Sequence, residues 1–216
     1  MSKNVVLSVD ELFPYIREIL SQCIEKEYKL PSSLYHHNTT YQQAPSIIEY
    51  GLLSAKDREL KGISQYNSKE RQLISDTNSH INGYDGISLS KVGLTDLYRN
   101  EFEYDPLDEQ SVDFIISNDI ETKRNTINYG NEFVTYQSIN QDKIKAIDIR
   151  LLKLIDFIER RNENKDIIIK NLTFLKEIIL SLKKMNLNIP VREMSKENNL
   201  LLDIKKIEDI PKILLK

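Results

Sequence analysis

Cysteine is all but missing from this chain: Cys23 stands alone among 216 residues. A single thiol excludes a disulfide framework and a cysteine-ligated metal site, and leaves Cys23 the ordinary role of a small buried hydrophobe. Histidine is nearly as scarce, with three in all and two of them adjacent, His36 and His37. No H-x-x-x-H pair occurs, so the chain offers a poor ligand set for zinc. There is no Walker loop, no Rossmann glycine fingerprint and no internal repeat. No run of 18 apolar residues appears, so no transmembrane helix is expected. The opening stretch, MSKNVVLSVDELF, lacks an apolar h-region and reads as mature protein rather than as a signal peptide. Neither sign of charge is in large surplus, with 30 Lys and Arg against 33 Asp and Glu. A net charge of −3 argues against a dedicated nucleic-acid scaffold, because phosphate binding needs a local positive excess. A basic cleft on an acidic body stays compatible with that balance. Together these absences point to a reducing cytoplasm, with export by a route that needs no cleavable signal left open.

What is present is enough for a folded domain. Hydrophobic residues make up 40% of the chain, and its length suits one domain with appendages. Val9, Leu12, Phe13, Ile16, Ile19, Leu20, Cys23 and Ile24 follow helical spacing and predict a helix over 8–29, opened by a Ser8–Glu11 capping box. After Pro31, SLYHHNTT predicts a strand, and Gln43–Tyr50 a helix closed by Gly51. Residues 54–80 are polar, with a short helix expected near 68–74. NGYDGISLSK sets turn-prone glycines around an alternating run, VDFIIS at 112–117 reads as a strand, and ETKRNTINYG as a polar loop. NEFVTYQSI and IKAIDIRLLKL both predict strands. NENKDIIIKNLTFLKEIILSLKKMN predicts an amphipathic helix with Ile167, Ile168, Leu172, Leu175, Ile179 and Leu182 inward. The tail LLLDIKKIEDIPKILLK is apolar and basic, and packs on the parent domain or serves as a docking segment.

Three strand-like segments carry polar residues able to converge. They are His37-Asn38-Thr39-Thr40, Gly86-Ile87-Ser88-Leu89-Ser90 and Asn131-Glu132-Phe133-Val134. Spacing alone does not bring them together. In YHHNTTYQQAPSIIEYGLLS, a strand ends in a histidine and a threonine before a segment with Ala44, Ser46, Ile47, Gly51 and Leu52. DGISLS sets a glycine before a short strand. YGNEFVTYQSINQDKIKAIDI opens a strand with a glutamate and adds a second strand after a turn.

In that order, and over residues 34–149, the three pieces resemble the signature motifs of the ADP-ribosyltransferase superfamily, which includes diphtheria-type toxins and poly-ADP-ribose polymerases. The resemblance implies an α+β fold with a split antiparallel β-sheet core at 31–158, an N-terminal accessory helix at 1–30 and a C-terminal helical extension at 159–216. It implies NAD as substrate and a protein or nucleic-acid acceptor for the ADP-ribose. It also implies catalytic roles for Glu132 and His37. Glu132 would stabilise the positive charge that develops on the ribose as nicotinamide leaves. His37 would hold ribose hydroxyls, donating from one ring nitrogen and accepting at the other. His36 is the rival, since neighbouring strand residues face opposite ways.

Asn38 falls where many relatives have a glycine whose backbone clamps the nicotinamide amide, and Thr39 supports the strand. Ser88 and Ser90 share a face and would orient Glu132 and a ribose. Tyr98 is the first choice to stack on nicotinamide, with Tyr84 and Tyr129 as competitors. Gly130 occupies the place of the earlier glutamate in E-x-E enzymes, which argues against arginine modification. The implied activity is that of a mono-ADP-ribosyltransferase, a glycosyltransferase acting as a toxin or effector, with the C-terminal helices available to an antitoxin or target. A catalytically degenerate binding module of the same fold is the alternative. The RNA 2′-phosphotransferases rank lower, because their arginine set has no counterpart here. Glu101 and Glu103 read as a solvated loop rather than a glycosidase pair.

Overall fold

β-Branched and alternating segments dominate the middle of the chain, and in the computed structural model they assemble into one sheet. The structure describes residues 9–31, 33–63, 85–91, 112–124, 132–161, 166–194 and 199–202. Helix α1 is Val9–Gln22, followed by β1 (Ile24–Glu27), β2 (Tyr35–Thr39), α2 (Ala44–Tyr50), α3 (Ala55–Leu60) and β3 (Ile87–Ser90). Then come β4 (Val112–Ile116), β5 (Lys123–Arg124), β6 (Glu132–Thr135) and β7 (Ile144–Ile149). Helices α4 (Leu151–Arg161) and α5 (Asp166–Lys184) precede β8 (Val191–Met194) and β9 (Asn199–Leu202).

The strands line up as β1-β9-β8-β7-β4-β2-β3-β6-β5 in an open sheet. Every pairing is antiparallel except β7–β8. A parallel pair cannot be joined by a tight turn, and α4 with α5 supply the crossover. The class is therefore α+β with a mostly antiparallel sheet. Strands β1, β8 and β9, from the first and last stretches of the chain, belong to the same sheet as the centre.

Register sorts the side chains onto two faces, because directly opposed residues point the same way. On one face Val112, Phe114, Ile116, Ile147, Ile149, Ile87 and Leu89 join the main apolar core. Helices cover this face with Ile16 and Leu20 from α1, Ile48 from α2, Ile155 and Ile158 from α4, and Leu175 and Ile179 from α5. Each such side chain contributes roughly 1.5–3 kcal/mol by leaving water. The opposite face carries a small apolar patch of Leu34, Ile115 and Ala146. Val134 lies on that face too, opposite Ser88, together with the polar residues His36, Asn38, Ser90, Asp113 and Asp148.

Several expectations are corrected. The first helix stops at Gln22, and residues 24–27 form β1 against β9 rather than continuing to 29. IKAIDIRLLKL is not all strand: it leaves the sheet after Ile149 and becomes α4, whose apolar residues at 151, 154, 155 and 158 keep helical spacing. Lys123 and Arg124, expected in a loop, pair with β6. The tail begins as β9. Ser8 and the helix expected near 68–74 lie outside the described residues.

Gly51 ends α2 as expected, and its reason is local. Its φ is +80°, and a Cβ there would sit 2.4 Å from the Ile139 carbonyl oxygen. That contact exists because Leu52 and Ile139 exchange two hydrogen bonds of 2.9 Å, which stitch the end of α2 to the segment after β6.

Candidate functional site

The three polar segments singled out in the sequence become neighbours. β2 lies beside β3, and β3 beside β6. His36 opposes Ser90, and Ser90 opposes Glu132, so imidazole, hydroxyl and carboxylate form one row across three strands on the polar face. Asn38 and Ser88 belong to the same face, one step along. The Ser88 hydroxyl donates to Glu132 Oε1 at 2.5 Å, a charge-assisted bond that fixes the carboxylate against β3. All five side chains are partly exposed.

His37 is placed differently from the expectation that put it with Glu132. It opposes Phe114 and so faces the core side, while His36 takes the position in the Glu132 row. A shift of one residue exchanges the two faces of a strand, and the apolar pattern of β4 decides which histidine goes where. Among the described residues the β2–β3 ladder shows one pair, His36–Ser90. Beyond it the His37 ring takes over, with Nδ1–H donating to the Ser88 carbonyl at 2.9 Å. Burial holds the His37 pKa below its ordinary value, against the pull of the Ser88 carbonyl and of Asp113; Arg58 lowers it further. His37 is thus a neutral brace behind the serine that holds Glu132.

Thr39 is buried, and its hydroxyl donates to Gln43 Oε1 at 2.9 Å, which ties β2 to the start of α2. Asn38 Oδ1 is buried and has no hydrogen-bond partner among the described residues. Tyr98, Tyr84, Tyr129, Glu101 and Glu103 lie outside the described residues.

Two carboxylates extend this polar face and were not singled out from the sequence. Asp113 is 0% exposed, opposes Asn38, and its Oδ2 lies 2.8 Å from His36 Nδ1. Asp148 opposes Asp113 on the next strand and is gripped through both oxygens by Arg192, each bond 2.7 Å. Burial raises the Asp148 pKa from 3.8 to about 6, with Asp113 adding to the rise and Arg192 and His36 opposing it. A sequence signal did exist: an aspartate inside VDFIIS and another inside IKAIDI interrupt otherwise apolar strands, and a buried carboxylate has to be paired.

Among the described residues no group of three or more His, Cys, Asp or Glu is arranged to hold a metal ion, and no helix is long and apolar enough to cross a membrane. Comparison with family models, curated proteins and solved structures finds no match.

Proposed function

We propose that the chain is an NAD-dependent mono-ADP-ribosyltransferase and that the row His36–Ser90–Glu132, with Ser88, forms its sugar site. The observation that carries this reading is the hydrogen bond from Ser88 to Glu132, made between two of the three segments that resemble the superfamily motifs. A carboxylate fixed by a neighbouring hydroxyl is pre-aligned, so little reorganisation is needed when positive charge develops beside it.

In the proposed reaction the bond between the ribose C1′ and the nicotinamide nitrogen breaks, and its electron pair leaves with nicotinamide. Glu132 stabilises the oxocarbenium-like carbon. A lone pair of the acceptor then forms the new bond to C1′, and the acceptor's proton passes to a base, for which Glu132 is the candidate. His36 takes the part of holding ribose hydroxyls that the resemblance implies for His37. In this reading the acceptor is a protein or a nucleic acid, and the toxin or effector role belongs to it.

The test is release of nicotinamide and transfer of label from NAD by the purified chain, beside Glu132→Gln. Release by the parent and its loss in the variant support the proposal. Absence of both release and transfer, with NAD still bound in calorimetry, would move the chain to a binding module of the same fold.

A further inference from the structure

We propose that Asp113 is a positioning residue that fixes the tautomer of His36. The inference builds on the proposed sugar site for what His36 touches, but the tautomer itself stands on geometry alone.

Asp113 is fully buried, and its Oδ2 meets Nδ1 of His36 at 2.8 Å. A carboxylate accepts, so the ring proton sits on Nδ1 and the lone pair on Nε2. His36 then meets a ribose as an acceptor for one hydroxyl proton, leaving Glu132 to accept from another. Among the described residues no lysine or arginine forms an ion pair with Asp113. Arg192, the nearest candidate along the row, is committed to both oxygens of Asp148 and to the Tyr28 carbonyl at 2.9 Å. A buried carboxylate whose partner is an imidazole is a costly way to build a strand, since removing charge from water is repaid only by good pairing. It is an effective way to hold a ring in one orientation while leaving negative charge behind the place where positive charge develops.

The experiment is long-range proton–nitrogen correlation NMR on the full chain labelled at histidine, at about pH 8, where an ordinary imidazole is neutral. The three histidines are assigned by His36→Gln and His37→Gln. In the parent, His36 is expected as the Nδ1–H tautomer, and the opposite tautomer overturns the proposal without need of any Asp113 variant. In Asp113→Asn, the amide can present N–H to the ring and turn it to the Nε2–H form. Nicotinamide release should then fall roughly tenfold to a hundredfold in kcat, the scale of a misplaced group. An unchanged tautomer, or a changed tautomer with unchanged release, overturns the proposal. If the parent releases no nicotinamide, the proposed function fails, and the two tautomer readings alone decide whether Asp113 positions His36.

Discussion

At the β7–β8 junction a buried carboxylate, Asp148, is closed off by a guanidinium that bonds both of its oxygens. One strand away Asp113, in register with it, reaches a single imidazole nitrogen. The first pair satisfies itself and lies wholly inside, with both side chains under 5% exposed. The second leads outward, through a ring with 20% of its side chain exposed, to the row that carries Ser90 and Glu132. The same residue type in the same row thus supports structure at one end and a candidate site at the other. The partner makes the difference: a cation that stays charged, or a ring that can present its second nitrogen elsewhere.

Breaking the closed end should have the largest effect. Arg192→Met leaves Asp148 buried and unpaired and should cost about 3–5 kcal/mol, read from the urea midpoint, with nicotinamide release per folded molecule little changed. Glu132→Gln should do the reverse. Its rate should fall about 10²- to 10³-fold while the midpoint moves by less than about 0.5 kcal/mol. Next come the adjacent histidines. His37→Ala leaves the Ser88 carbonyl without its donor and should cost about 1–3 kcal/mol of stability, whereas His36→Ala should lower the rate and also the stability, because it leaves the buried Asp113 carboxylate without its partner.

The smallest effect is on pH dependence. The folded His37 has a pKa below 6.5, so the unfolded chain takes up a proton first as the solution is acidified. Its contribution is complete above about pH 6.5 and is lost as pH falls toward the folded value. Asp148 runs the other way: raised from 3.8 to about 6, it binds its proton first in the folded chain, so stability is gained as pH falls through that interval. The difference in unfolding free energy between parent and His37→Ala should therefore shrink below about pH 6.5. A constant difference would show that burial of the ring is not what matters.

Much of the architecture was readable because period and burial coincide. The apolar residues of α5 recur with helical spacing over five turns, and Gly51 sits where only a positive φ closes the helix. Strand β1 was hidden because IEKE carries no alternation, and its partner β9 lies some 175 residues later. The change from β7 to α4 was hidden because IKAIDIRLLKL is apolar in both periods. For the candidate site, the motifs named the strands but not the faces. Choosing between His36 and His37 needs the register, which β4 sets from more than 70 residues away. The break that Asp113 makes in an apolar strand marks a buried carboxylate, but its partner is a ring on the neighbouring strand, diagonal to it and some 77 residues away, which the sequence does not show.

Cys23 carries a practical consequence. It is 1% exposed, at the turn where α1 gives way to β1, and its amide bonds the Leu20 carbonyl at 3.1 Å. A thiol reagent can reach it only when that corner comes apart. Because no second cysteine competes, the pace of its alkylation in native buffer is a clock for how often the amino-terminal corner opens.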